Sequence, residues 1–183
     1  MLRSFLVKEE THLATVLRVM TKVSTRGGKR IMKKTTFVYP IYIATTPEKL
    51  WEALTSGEFT KKYHFGCQVQ SDWQEGSTVE YLLQDGRVTD HGIVHKCEPL
   101  HLLSFTWNMA GDETPRDHPT RVTFELQPMD GSTVKLTLKH EELLETDFVY
   151  DDNTFKGLNN GWPAILSNLK SLLETGRTLP PIM

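Results

Sequence analysis

The chain has 183 residues, 38% hydrophobic and 24% charged, with a formal net charge of −2 and a mean hydropathy of −0.37. These values fit one globular domain, which at this length buries about 70% of the surface its unfolded form exposes and needs no metal or disulfide staple. No apolar run reaches the roughly 20 residues of a membrane span, and Cys67 and Cys97 form no CxxC, so no span, no cofactor and two reduced thiols in a cytoplasmic protein are expected.

Charge is unevenly placed. Residues 1 to 34 carry nine Lys/Arg against two Glu, whereas residues 35 to 183 carry twelve against twenty-one Asp/Glu. Three readings of this basic leader stand. Met32-Lys33-Lys34 reads as a bacterial start preceded by Gly27-Gly28-Lys29-Arg30, which a purine-rich ribosome-binding site would encode, so residues 1 to 31 are expected to be translated upstream sequence. A targeting peptide and a functional appendage are the alternatives. The acidic remainder has no cluster of Lys/Arg of the kind that phosphate binding needs, so no nucleic-acid partner is expected.

Residues 35 to 178 form the expected domain, with 179 to 183 as a short tail. TTFVYPIYIA is β-branched and aromatic and predicts a strand. Thr46 as N-cap and Pro47 at the first helical position predict a helix with Leu50, Trp51 and Leu54 on one face. Ser56 can cap a second short helix, GEFTKKYHF, which brings Phe59, Tyr63 and His64 toward the core before Gly66 breaks it.

The middle of the chain predicts antiparallel strands around the hairpin dipeptides Asp85-Gly86 and Asp130-Gly131. Val79, Tyr81 and Leu83 alternate before the first turn. Further on, Leu103, Phe105 and Trp107 alternate, and Val122, Phe124, Leu126 and Val134, Leu136, Leu138 flank the second turn. The opposite parity offers Thr106, Thr123, Glu125, Lys135, Thr137 and Lys139, the pattern of a sheet with one wet and one covered face. The cover is GWPAILSNLKSLLETG, where Trp162, Ile165, Leu166, Leu169, Leu172 and Leu173 recur at helical spacing, Pro163 marks the first turn and Gly176 ends the run. The stretch from Glu141 to Asp152, with six carboxylates, reads as a solvated loop or as a lid over a cavity between helix and sheet.

TTPEKLWEALTSGEFTKKYHF, the Gly92, Val94, Pro99, Leu103, Phe105, Trp107 spacing, and HEEL followed by GW and the terminal leucines resemble the bacterial homologues of the activator of the ninety-kilodalton heat-shock chaperone's ATPase. The resemblance runs from about residue 36 to residue 176. It implies an α+β helix-grip (START-like) fold, a curved antiparallel sheet wrapped around a long C-terminal helix with two short helices after the first strand. The chain departs from the family pattern at Tyr63-His64, where a Trp-Trp or Trp-Phe pair is common, and in a longer acidic loop before the final helix.

Sequence motifs for chemistry are sparse. P-loop, GxGxxG, HExxH and GxSxG patterns do not occur, so no catalytic residue is assigned. His91, His95 and Cys97 share a strand parity, but strand residues four apart stand roughly 13 Å apart, too far to share one zinc, so no metal site is expected. His140 continues the Leu136 and Leu138 parity to the end of the apolar wall. A structural hydrogen bond to the following loop is its expected role, with ligand binding or acid–base catalysis as alternatives.

The concave inner face that the resemblance implies suits a binding module for a small hydrophobic or aromatic molecule, walled by Tyr63, Tyr81, Trp107, Phe124, Leu136, His140, Trp162 and Ile165. Each of these can equally be core packing. The resemblance also implies a chaperone as a partner, in a co-chaperone-like stress-response role, and a cyclase- or hydrolase-like enzyme using the same cavity is the third reading.

Overall fold

The computed structural model describes residues 35–151 and 153–180. The expected leader therefore lies outside the described residues, as does the end of the tail. Strand β1 (Thr35–Ile43) leads into helix α1 (Pro47–Thr55), where the Thr46 side chain accepts from the Lys49 N–H at 3.4 Å and Pro47 opens the helix. Helix α2 (Gly57–Tyr63) follows, without the side-chain cap expected of Ser56. It ends at Tyr63 rather than running to Phe65, because Phe65 (φ 48°) and Gly66 (φ 83°) turn the chain into the left-handed region.

Six further strands follow: β2 (Gln68–Ser71), β3 (Thr78–Leu82), β4 (Val88–Glu98), β5 (Leu102–Met109), β6 (Thr120–Asp130) and β7 (Thr133–Leu143). All pairings are antiparallel, in the order β1-β7-β6-β5-β4-β3-β2, so the chain's first strand joins its last and α1 and α2 connect the two edges. Asp130 pairs with Thr133, which puts Gly131 and Ser132 at the centre of that hairpin, one residue beyond the expected dipeptide. Asp85-Gly86 sits in a longer loop closed by the Leu83 N–H on the Arg87 carbonyl at 2.9 Å. The Asp85 side chain accepts from the Arg87 N–H at 3.0 Å and holds that wider shape.

Helix α3 (Leu158–Thr175) covers the concave face with Trp162, Ile165, Leu166 and Leu169, all buried. Each such side chain stabilises the fold by about 1.5–3 kcal/mol. The helix begins four residues before Trp162, so Pro163 lies inside it, beyond its first turn. Gly176, at φ 76°, closes it as expected. Its last turns are tied to β1, where Lys170 Nζ donates to the Tyr42 carbonyl at 2.7 Å and Glu174 accepts from the Ala44 N–H at 2.7 Å. The result is the α+β helix-grip arrangement. Among the described residues no helix is long and apolar enough to cross a membrane.

Candidate functional site

A cavity of about 980 Å³ lies between the N-terminal half of α3 and the strands it faces. Its walls come from the end of α2 (His64, Phe65), from β4 (Asp90), β5 (Trp107, Met109) and β6 to β7 (Thr120, His140), and from α3 (Gly161, Trp162, Ile165). The segment between β7 and α3 closes one side through Asp147, Val149 and Phe155.

That segment is built into the domain, although its carboxylate content suggests a solvated loop. Leu144 and Phe148 are buried, and Asp147 is held by Arg116 through Nη1 at 2.9 Å and Nη2 at 2.5 Å. Asp147 also accepts the Leu144 N–H at 2.7 Å, and Asp112 takes a further bond from Arg116 at 3.1 Å. Asn159 and Asn160, in the first turn of α3, both donate to the Val149 carbonyl, at 2.8 and 2.9 Å. Gly157 sits at φ 80° beneath this clamp, where an added Cβ would stand 2.5 Å from the Val149 nitrogen.

The inner end of the cavity is a polar relay set in aromatic rings. Trp162 Nε1 donates to His140 Nδ1 at 3.0 Å, and His140 Nε2 lies 2.9 Å from Thr120 Oγ1. Indole nitrogen only donates, so Nδ1 is the acceptor and the imidazole proton sits on Nε2, donated to Thr120. The Thr120 hydroxyl in turn donates to the Trp107 carbonyl at 2.5 Å. Burial lowers the His140 pKa from 6.5 to about 3, which keeps this neutral tautomer in place. Its partners are β6 and α3 rather than the loop that follows it.

His64 sits beside this relay, its ring stacked with Trp107 at 6.0 Å and tilted on Tyr81 at 4.8 Å. Burial lowers its pKa to about 4. Asp90 reaches the cavity from β4, and burial raises the pKa of its carboxyl, opposed by the Thr89 and Trp107 side chains.

Of the eight residues predicted to wall a ligand site, Trp107, His140, Trp162 and Ile165 line the cavity. Tyr63, Tyr81, Phe124 and Leu136 are buried and do not line it. Tyr63 instead donates to the Ala53 carbonyl at 2.9 Å and pins α2 to α1. His91 and His95 are exposed, and among the described residues no group of three His, Cys, Asp or Glu is placed to hold a metal. Sequence reasoning missed Asp90, although it shares the inward parity of Gly92 and Val94, both buried. Phe65, Phe155 and Arg116 carry no periodic signal, because each lies in irregular chain.

Solved structures share this architecture. A Mesorhizobium loti protein is 28% identical with a TM-score of 0.60, over 75% of this chain and 96% of its own. The Aha1 dimer from Colwellia psychrerythraea is 25% identical with a TM-score of 0.57, over 77% of this chain and 97% of its own. An HSP90 activator from Plasmodium falciparum, at 19% identity and a TM-score of 0.58 over 75% of this chain and 95% of its own, shares the fold. Among curated proteins no relative matches the chain. The family model described as activator of Hsp90 ATPase homolog 1-like protein matches residues 44–174, well over half of the length. With the START-like fold and a match that spans α1 to the last turn of α3, the chain belongs to the family of activator of Hsp90 ATPase homolog 1-like proteins.

Proposed function

We propose that the chain is a binding module for a small hydrophobic or aromatic molecule held in the cavity between sheet and α3. The observation that carries this reading is the cavity itself. Its volume of about 980 Å³ lies at the upper end of the range of ligand sites, and Trp107, Trp162, Phe65 and Phe155 give it an aromatic wall beside a polar one that includes His64, Asp90 and Arg116. Phe65 and Phe155 are 53% and 40% exposed and stand 6.4 Å apart, an apolar mouth that water alone does not favour. Both nitrogens of His140 are engaged, which supports binding over acid–base chemistry at that residue. The free Cys67 and Cys97 suit a reducing cytoplasm.

Gly161 supplies the test. It lines the cavity from α3, and a Cβ there meets nothing closer than the Phe155 carbonyl oxygen at 3.5 Å. Gly161→Leu fills the space in front of Trp162 and raises helix propensity by roughly 1 kcal/mol. The variant is expected to stay folded and to lose binding of the apolar fluorophore phenylnaphthylamine. Undiminished binding by a folded variant would place the apolar site elsewhere.

Family membership favours a second reading, action on a chaperone of the Hsp90 class. Purified chain added to Hsp90 from the same organism should then raise its ATPase rate. No change in rate and no co-sedimentation at micromolar concentrations would reject it.

A further inference from the structure

Among the described residues, two polar side chains of the cavity are incompletely matched: His64 has no protein partner for its ring nitrogens, and Asp90 has no counter-charge. His64 is 6% exposed, and among the described residues neither of its ring nitrogens has a hydrogen-bond partner. Rings enclose it, with Tyr81, Trp107 and Trp162 all within 6.1 Å of its centroid. The remaining open side is the cavity, which it lines. The His64 nitrogens are not among the fully enclosed unpartnered polar atoms, so they are reached from the cavity, where a polar ligand group can take the place of water.

Asp90 makes the second case. It is half-buried on β4 and lines the same cavity, where the Thr89 and Trp107 side chains hydrogen-bond its carboxyl but no ion pair forms among the described residues. Its hydrogen-bonding neighbours Thr89 and Trp107 are neutral and supply no counter-charge. Burial of a carboxylate without a counter-charge raises its pKa, which is the direction found.

The rest of the lining sharpens the choice of ligand. It carries four aspartates against one arginine and one lysine. Arg116, Asp112 and Asp147 pair with one another, which leaves Asp90 and Asp117 against Lys156. The field inside the cavity therefore disfavours an anionic head group and favours a cation. Burial keeps His64 neutral at neutral pH, so its vacant nitrogen can accept a proton donor. The faces of Trp107 and Trp162 add attraction for a cation within about 6 Å.

Resting on the cavity reading above, we propose that the site selects an aromatic molecule with a cationic, hydrogen-bond-donating head group, an aryl-alkyl ammonium in its simplest form. The ammonium pairs with Asp90 and donates to His64, and the aryl ring lies among Trp107, Trp162 and Phe65.

Four probes with one ring system separate the possibilities: naphthalene, naphthylmethanol, naphthylmethylamine and naphthylacetate, each displacing phenylnaphthylamine from the full chain. A charge-assisted hydrogen bond should make the amine bind about 10- to 100-fold tighter than naphthalene, with the acetate weakest of the four. Asp90→Asn should remove most of that advantage of the amine over naphthalene, and His64→Phe should remove a smaller, several-fold part. If the parent chain binds naphthylacetate as tightly as the amine, or all four alike, the head-group proposal is overturned and the apolar cavity remains. If phenylnaphthylamine and every probe fail to bind the parent, the cavity reading falls and this proposal with it. The parent's ranking decides even where a variant folds poorly.

Discussion

Trp162 on α3 donates its indole N–H to Nδ1 of His140 on β7 at 3.0 Å, a side-chain bond between the covering helix and the sheet beneath it. The bond fixes the imidazole tautomer and so orients the onward bonds through Thr120 to the Trp107 carbonyl. Every polar atom in this row is satisfied at the edge of a cavity, where a half-satisfied row would be costly.

Trp162→Phe is expected to cost about 1–3 kcal/mol by stranding His140 Nδ1, in addition to any loss of packing. His140→Phe alone should strand the Trp162 indole and the Thr120 hydroxyl. The double variant should cost less than the two single costs added, with a coupling of about 0.5–3 kcal/mol in urea unfolding. Additivity within about 0.5 kcal/mol would show that the bond contributes nothing specific.

Acid should weaken the fold through its two buried histidines. His64 and His140 titrate at about 4 and about 3 in the folded state, against 6.5 for an ordinary histidine. Both folded values are depressed, so between pH 6.5 and about 4 the unfolded chain takes up protons that the folded chain refuses. Stability is full above pH 6.5 and falls by about 1.4 kcal/mol per pH unit per histidine below it. His64→Phe should remove one such contribution, so that the parent loses about 3 kcal/mol more than the variant between pH 7 and pH 4. Parallel stability curves for the two chains would contradict the buried, neutral state of His64.

The interior has a packed part and an open part, and substitution should distinguish them. Leu136 is fully buried away from the cavity, so Leu136→Trp should overpack it and cost about 1–3 kcal/mol or more. Leu169 is equally buried on α3, and Leu169→Ala should cost about 2–5 kcal/mol. Thermal unfolding reads both. A Leu136→Trp chain as stable as the parent would mean that the cavity extends to the centre of the sheet.

Gly92 marks where β5 crosses close against β4. A Cβ there would stand 1.7 Å from the Thr106 carbonyl oxygen, and backbone cannot move aside as a side chain can. Gly92→Ala should therefore cost more than the roughly 1–3 kcal/mol of ordinary overpacking and prevent cooperative unfolding. Gly131, whose added Cβ meets nothing within 4 Å and whose φ is not positive, is the control for a loop glycine.

Much of the fold is local and was legible in the residues. Thr46 and Pro47 announce α1 through a cap and a fixed φ, and the strict alternation of Val134, Leu136 and Leu138 announces which face of β7 is covered. The helical spacing from Trp162 to Leu169 announces the covering helix. These are periodic signals, and a period can say which face is buried without saying what faces it. That is why Tyr63, Phe124 and Leu136 carry the same apolar signature as Trp107 and Ile165, yet only the latter two border open space. The cavity is closed on one side by the segment between β7 and α3, which the Asn159 and Asn160 clamp on Val149 and the Arg116 bridge to Asp147, 31 residues away, hold in place. Such contacts join irregular segments with no shared period. The sequence by itself therefore determined the helix-grip layers and the buried face, whereas only the tertiary structure decided that His64 and Asp90 line one cavity, because that depends on long-range register and loop closure.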